Sequence, residues 1–270
     1  MLTTRLLTAV VLIPIVAWVV YLGGLPFLGL IALAATVAQI EFCTLAARRG
    51  FRVVHSFGIG LVWIYLLNGR YPTWGLLNHG PAVLLLLSLG WQVARYPRSE
   101  VGEWTTAIAG GLYVGLCGSY LIQLRALPGD GLWWTFITVA VTLLADSTAY
   151  AVGSIWGRRK LAPGLSSGKT VEGYVGAILL SALTGGLLGW IWSVQAAPGT
   201  AVTWGRGLVL GFLIATLAPL GDLAISMVKR EAGVSNSSNL IPGHGGMLDR
   251  LDTVLVAAVI GHAYVTWFVN

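Results

Sequence analysis

The chain has 270 residues, of which 56% are hydrophobic and only 10% are charged, and its formal net charge is +6. Because an ordinary soluble domain carries about 25% charged residues, this composition excludes a soluble globular protein, a disordered chain and a disulfide-stabilised secreted domain. Thirty-six glycines and twelve tryptophans are typical of close helix packing and of anchoring at a membrane interface. The sequence therefore predicts an all-α, polytopic integral membrane protein.

Apolar stretches long enough to cross a bilayer recur along the whole chain. A spanning helix needs roughly 20 mostly apolar residues. The first stretch follows Arg5 and also suits a signal peptide, but its length and weak cleavage site favour a span. We predict a single membrane domain, 1–270, in which residues 1–130 serve packing and oligomerisation and residues 131–270 carry the functional site. The nine predicted spans lie at about 6–23, 25–46, 55–68, 79–94, 104–124, 131–153, 173–195, 205–228 and 253–269.

The positive charges give an independent check of this topology. Thirteen of the sixteen Lys and Arg residues fall on one side of the membrane, whereas Arg70, Arg125 and Arg206 fall on the other. The positive-inside rule then places the thirteen charges and the N-terminus in the cytoplasm. Such a basic face suits anionic lipid or a polyphosphate. Nucleic acid is not expected as a partner, because no basic run is interleaved with aromatic residues.

Acidic residues are scarce and collect near the predicted cytoplasmic face. A carboxylate at membrane depth costs at least a few kcal/mol, so it usually lines a polar cavity or contacts a cation. A structural alternative is an interhelical hydrogen bond or an ion pair with Arg230 or Arg250. We nevertheless expect a cytoplasmic-facing polar cavity, built mainly by spans six to nine. The four carboxylates at issue are Asp146, Asp222, Asp249 and Asp252.

The spacing of these residues indicates a metal and phosphate site. Asp249 and Asp252 are three residues apart, so a helix presents both on one face. Asp222, Ser226 and Lys229 follow at i, i+4 and i+7 and also form one stripe. Oxygen ligands of this kind suit Mg²⁺ rather than zinc. Carboxylate-bound Mg²⁺ beside Lys and Arg is the usual arrangement for handling nucleotide phosphates, and a second cation is left open.

A glycine-rich segment precedes the last predicted span. It comprises Pro242, Gly243, His244, Gly245 and Gly246. Glycines before a helix let backbone N–H groups approach an anion closely. His244 is expected to hydrogen-bond a phosphate or to act as an acid or base. The alternative is that His244 only caps the turn.

A second polar loop lies before the seventh predicted span. Its first P-loop glycine is replaced by Pro163 and no strand is expected before it, so a P-loop is not predicted. Its basic and hydroxyl side chains still suit phosphate. Glu172 opens the next helix and is either part of the site or a partner of the helix dipole. The end of this loop reads Ser167-Gly168-Lys169-Thr170.

Together these residues resemble the bacterial phosphatidate cytidylyltransferases, also called CDP-diacylglycerol synthases. That family carries the signature S-x-x-K-R, then K-D, then P-G-H-G-G-x-x-D-R-x-D. The resemblance is strongest over about 140–260. Two departures are Ser235-Asn236 in place of K-D, and Ser167 where the family often has proline. The matching blocks are Ser226-Met-Val-Lys229-Arg230, the segment from Pro242 to Gly246, and Asp249-Arg250-Leu-Asp252.

The resemblance implies that CTP and phosphatidate react to CDP-diacylglycerol and diphosphate in phospholipid biosynthesis. It implies a bacterial inner-membrane enzyme with a cytoplasmic site, Mg²⁺ held by Asp222, Asp249 and Asp252, and Asp146 either completing the polar cavity or ordering Lys169. The expected catalytic residues are Asp222, Lys229, Arg230, His244, Asp249, Arg250 and Asp252. The expected substrate-binding residues are Asp146, Ser167, Lys169, Thr170, Glu172, Ser226, Gly245 and Gly246.

The sequence leaves three alternatives open, two on function and one on oligomeric state. A family member with low activity or another lipid substrate would explain Ser235-Asn236. A transporter would also keep carboxylates in its spans, but it predicts polar residues through the membrane thickness and often repeats, neither of which the sequence contains. A homodimer is left open by the glycine pairs Gly110-Gly111 and Gly185-Gly186, which allow close helix pairing.

Overall fold

The computed structural model describes residues 2–196, 199–241 and 245–269, without the side chains of 2–9, 11 and 167. Helices dominate the described residues. A 3₁₀ turn at Pro72–Trp74 and a π-helical end at Val265–Val269 supplement them. The α-helices are α1 Leu2–Leu22, α2 Gly24–Ala47, α3 His55–Arg70, α4 Leu76–Ala94, α5 Val101–Ala126, α6 Gly131–Trp156, α7 Val171–Gln195, α8 Trp204–Leu217, α9 Pro219–Glu231 and α10 Leu248–Tyr264.

The helices show the outward apolar surface of a membrane protein. Leu86 of α4, Leu179 of α7 and Val194 of α7 are each more than 60% exposed. Seven helical segments among the described residues are long and apolar enough to cross a membrane. Helices are favoured there because a bilayer offers no water to satisfy backbone N–H and C=O groups. The prediction of an all-α polytopic membrane protein is confirmed, whereas the count of nine stays a prediction, since α3 has only 16 residues.

The predicted eighth span, 205–228, is not one continuous helix. Helix α8 ends at Leu217 and α9 begins at Pro219. Proline has no backbone N–H to donate to the preceding turn, yet its fixed φ suits the first position of a helix. The interruption at Ala218 therefore follows from Pro219, which the hydrophobicity of the segment concealed.

A short hairpin, not expected from the sequence, joins α6 to α7. Strand β1 (Lys160–Ala162) pairs antiparallel with β2 (Ser166–Thr170). Lys160 lies opposite Thr170 in this register. Thr170 Oγ1 then accepts a hydrogen bond from Gly173 N at 3.1 Å, which caps the first turn of α7. The hairpin thus fixes Lys169 directly before a helix N-terminus.

Residue contacts divide the chain into two compact units. The first consists of Met1–Gln123 and Val228–Asp252, and the second of Leu124–Met227 and Thr253–Asn270. In the first unit, a Cβ at Gly111 would lie 2.7 Å from Gly58 O. The core of the second unit is built by buried residues of α6, α8 and α10, among them Trp134, Ile137, Val141, Leu210, Ile214 and Ala257.

Close packing within the second unit depends on glycine. Helices α7 and α8 approach so closely that a Cβ on Gly185 would collide with the backbone oxygen of Gly207. An added Cβ on Gly211 would likewise collide with Ser181 O. Gly111 and Gly185, on which the sequence argument for a dimer rested, therefore pack within the chain. A homodimer stays a prediction.

Candidate active site

Lys169 and Asp222 form an ion pair in the second unit. Lys169 Nζ lies 2.6 Å from Asp222 Oδ2, and the two side chains are 25% and 28% exposed. Ser226 Oγ donates to Asp222 Oδ1 at 3.2 Å, one turn along α9. We call Lys169, Asp222 and Ser226 the hairpin cluster. The structure thus joins two segments that the sequence placed in separate motifs, because the hairpin presents Lys169 to α9.

A second and more buried ion pair lies in the first unit. Lys229 Nζ donates to Asp249 Oδ1 at 2.7 Å, with side-chain exposures of 9% and 7%. The other carboxylate oxygen, Oδ2, accepts from Ser237 N at 2.9 Å and Gly246 N at 3.0 Å, and it also lies 2.9 Å from Ser237 Oγ. Charge pairing and these neighbouring donors together offset the cost of burying this carboxylate.

Glu41 of α2 belongs to the same cluster, although the sequence reasoning missed it. It is 6% exposed. Its Oε1 accepts from Ser238 Oγ at 2.6 Å and Met247 N at 3.0 Å. Its Oε2 accepts from Leu248 N at 2.8 Å and lies 2.8 Å from Ser237 Oγ, whose one hydrogen is shared between this oxygen and Asp249 Oδ2. We call Glu41, Lys229, Ser237 and Asp249 the loop cluster.

A signal for Glu41 was present in the sequence. It is an isolated carboxylate inside the second predicted span, about 25–46. An ionisable residue at membrane depth suggests a functional site by default, and its partner must then be sought. The partners are 196 to 207 residues away along the chain. Sequence spacing could not reveal contacts at that separation.

Two predicted substrate-binding residues make local structural contacts. Thr170 caps α7, as described above. Glu172 Oε2 accepts from Arg158 N at 3.0 Å and Arg159 N at 3.2 Å, so it holds the residues that lead into β1. These contacts account for both side chains in the fold. Their roles in substrate binding stay predictions.

The remaining predicted residues differ in exposure. Asp252 is 3% exposed, and Tyr113 Oη donates to its backbone oxygen at 3.1 Å. Arg230 Nη1 donates to Val234 O at 3.2 Å. The side chains that face solvent or lipid are Asp146, Arg230, Ser235, Asn236 and Arg250. Pro242, Gly243, His244 and the side chain of Ser167 lie outside the described residues and atoms, so the predictions for them are not addressed.

The carboxylates have limited capacity for a metal ion. Among the described residues, no group of three or more His, Cys, Asp or Glu side chains is arranged to hold one. A carboxylate offers about four lone-pair sites on its two oxygens. Asp249 Oδ1 accepts one described hydrogen bond, and each of the two carboxylate oxygens of Asp222 accepts one as well. Each aspartate can therefore still offer one oxygen to a metal ion. Single oxygens fit Mg²⁺, which keeps several waters, and the assignment of Asp222, Asp249 and Asp252 as ligands stays a prediction.

The fold is that of a multi-pass helical membrane protein that carries two clusters of paired charges. Residues 3–268 match the sequence model described as the cytidylyltransferase family, and the chain belongs to this family. Named relatives align over almost their whole length. The phosphatidate cytidylyltransferase of Bacillus subtilis is 33% identical over 93% of this chain and 93% of its own. The phosphatidate cytidylyltransferase of Brucella abortus is 36% identical over 96% of this chain and 91% of its own. That of Haemophilus influenzae is 33% identical over the whole of both chains (100% and 100%).

Proposed function

We propose that this chain transfers the cytidylyl group of CTP to phosphatidate, forming CDP-diacylglycerol and diphosphate for phospholipid biosynthesis. The observation that carries this function is similarity over nearly the full chain to phosphatidate cytidylyltransferases of distant bacteria. The transporter alternative loses its support, because the chain belongs to an enzyme family.

The reaction needs charge neutralisation more than it needs a base. A phosphate oxygen of phosphatidate attacks the α-phosphorus of CTP, the new P–O bond forms, and the bond to the departing diphosphate breaks. The nucleophile is already an anion, so no strong base is required. Bringing two polyanions together is the main obstacle, and fixed cations lower it. Bound Mg²⁺ would supply further neutralisation at the phosphate oxygens.

Four cationic side chains are available for that task. Lys169 and Lys229 are held in place by aspartates at 2.6 and 2.7 Å, so their positions are set before substrate arrives. Arg230 and Arg250 are exposed and can follow the nucleotide. We assign phosphate binding to these four residues and propose that Gly245 and Gly246 add backbone donors. His244 is retained as a proposed acid, base or phosphate contact.

We further propose that the N-terminus and the active site face the cytoplasm of a bacterial inner membrane. The distribution of thirteen basic residues against three supports this orientation. CTP then arrives from the cytoplasm, while phosphatidate enters from within the bilayer. A diacyl substrate never has to leave the membrane in this arrangement.

A second candidate is a family member with reduced activity or a different lipid phosphate. It rests on Ser235 and Asn236, which are exposed and uncharged where the family signature has K-D. Asn236 lies beside the glycine turn, since a Cβ built on Gly245 would be 3.6 Å from Asn236 Cγ. Both residues can still hydrogen-bond phosphate, but neither adds charge there.

The test is formation of CDP-diacylglycerol by the purified full-length protein in lipid. Phosphatidate and radiolabelled CTP are supplied with Mg²⁺, with chelator, and with chelator followed by excess Mg²⁺. We expect product that needs Mg²⁺ and that falls at least ~100-fold in Asp249→Asn. Arg49→Gln is the matched control, because Arg49 makes an exposed ion pair with Glu231 at 3.3 Å. Folded protein that binds CTP without making product from any lipid phosphate would refute the enzyme assignment.

A further inference from the structure

The carboxylate of Glu41 occupies an unusually costly position. It lies in the apolar helix α2 and is 6% exposed, between the fully buried Ala38 and Cys43. Burying a charge without partners costs several kcal/mol, so such a residue is retained only where specific contacts offset that cost. Two backbone N–H groups and two serine hydroxyls of residues 237–248 supply them, one of the hydroxyls being shared with Asp249. Packing of α2 alone would not call for a carboxylate.

Both oxygens of Glu41 are used in the same way. Each accepts one backbone N–H at the start of α10, from Met247 or Leu248, and each lies within hydrogen-bonding distance of one hydroxyl, that of Ser238 or that of Ser237, which is shared with Asp249. The first N–H groups of a helix have no partner within that helix. Glu41 therefore caps α10 from a helix about 200 residues earlier in the chain.

Gly246 permits this close approach. A Cβ at that position would collide with Ser237 Oγ and Glu41 Oε2. The same glycine donates its N–H to Asp249 Oδ2 at 3.0 Å. Absence of a side chain at residue 246 is thus required for both the cap and the Asp249 contact.

We propose that Glu41 is a positioning residue for Asp249, an inference that rests on the proposed catalytic role of Asp249. All three described donors to Asp249 Oδ2 come from Ser237 and Gly246. Glu41 holds Ser237 directly and holds the residues that follow Gly246. Fixing these donors fixes the orientation of the carboxylate, and so directs Oδ1 to Lys229 at 2.7 Å. Glu41 itself need not touch either substrate.

An amide cannot replace this carboxylate. In Glu41→Gln the NH₂ group would face the N–H of Met247 or Leu248, and a backbone N–H can only donate. Hydroxyl groups can rotate to accept, but one buried backbone donor stays unpaired. Glu41→Gln would therefore remove one of the two backbone N–H contacts of the cap and leave the size of the side chain unchanged.

The test compares Glu41→Gln with Glu103→Gln in full-length protein reconstituted in lipid. Glu103 is an equally buried carboxylate of the same unit, 4% exposed, whose Oε1 accepts from Arg52 N at 3.0 Å. We measure kcat and KM for CTP per folded molecule, together with amide hydrogen exchange of residues 245–251. A misplacement of about 1 Å at a reacting group can cost ~100-fold, so we expect a fall of that order in kcat/KM for Glu41→Gln only. Faster exchange confined to residues 245–251 should accompany it.

Ser237→Ala keeps the test decisive if Glu41→Gln folds poorly. This variant removes the hydroxyl between Glu41 and Asp249 but leaves both backbone N–H bonds to Glu41. We expect about a tenfold loss in kcat/KM, and no further loss when it is added to Glu41→Gln, because the two changes break one chain of contacts. Unchanged kcat/KM in Ser237→Ala, multiplied losses in the double variant, or equal losses in Glu41→Gln and Glu103→Gln would overturn the proposal. An inactive wild type would instead refute the proposed function, and exchange at 245–251 would still report on the cap.

Discussion

The buried pair of Lys229 and Asp249 should respond unequally to removal of its two partners. Its atoms are 2.7 Å apart, which corresponds to roughly 6 kcal/mol of Coulomb attraction at an effective dielectric constant of about 20. The cost of removing both charged groups from water offsets much of this attraction. In Asp249→Asn, the side-chain NH₂ group must point either at the buried ammonium of Lys229 or at the donors of Ser237 and Gly246 that contact Oδ2. In both orientations a donor faces another donor. We therefore expect a loss of about 3–5 kcal/mol in the free energy of unfolding.

Lys229→Met should cost less, about 1–3 kcal/mol, because Asp249 keeps its hydrogen bonds from two backbone N–H groups and the hydroxyl that it shares with Glu41. The double variant should recover part of the loss of Asp249→Asn, since the buried ammonium of Lys229 is then removed together with its partner. Denaturant-induced unfolding in mixed micelles, followed by circular dichroism, measures all three. Asp222→Asn is the matched control, because its pair with Lys169 is 25–28% exposed and should contribute about 1 kcal/mol or less. A larger loss in Lys229→Met than in Asp249→Asn would refute this reasoning.

Further changes test other parts of the candidate site. Gly246→Ala should lower the free energy of unfolding by about 1–3 kcal/mol, because its methyl group would collide with the loop cluster. Gly205→Ala, with open space around it in α8, should be neutral or raise that free energy by about 0.5–1 kcal/mol in the same unfolding assay. Lys169→Met should lower kcat/KM for CTP about 100-fold, with little change in stability, and radiolabelled product formation measures it. The double change Ser235→Lys with Asn236→Asp should alter kcat/KM less than about threefold, because it adds one positive and one negative charge at adjacent exposed positions and leaves the net charge unchanged. A rise above tenfold in the same product assay would favour the second candidate function.

The helices could be predicted because their cause is local. Long apolar stretches fix the length and type of each segment, and most predicted spans agree with observed helices to within a few residues. Two features escaped that reasoning. The break at Pro219 was hidden because the flanking residues are apolar, and the β1–β2 hairpin was hidden because its strands have three and five residues. Hydrophobic periodicity carries little information over so short a length.

The site was predicted in part for a related reason. Asp222, Lys229 and Asp249 stand out because charges are rare in this chain, and the family signature groups them. Their actual partners could not be read from the spacing. Asp249 is paired with Lys229 rather than with Arg250 or Arg230, the partners considered from the sequence. Glu41 was missed because its partners lie 196 to 207 residues away along the chain, although an isolated carboxylate inside an apolar span was itself a signal.

The pairing of lysines with aspartates also bears on how a polyanion is bound. In the hairpin cluster the charges of Lys169 and Asp222 cancel. In the loop cluster, Glu41 and Asp249 outnumber Lys229 and leave one formal negative charge. A triphosphate would gain little net attraction from either cluster alone. We expect the additional positive charge to come from further cationic side chains or from a divalent cation that arrives with the nucleotide. We therefore predict that activity depends on Mg²⁺, because these two clusters do not balance the charge of a triphosphate.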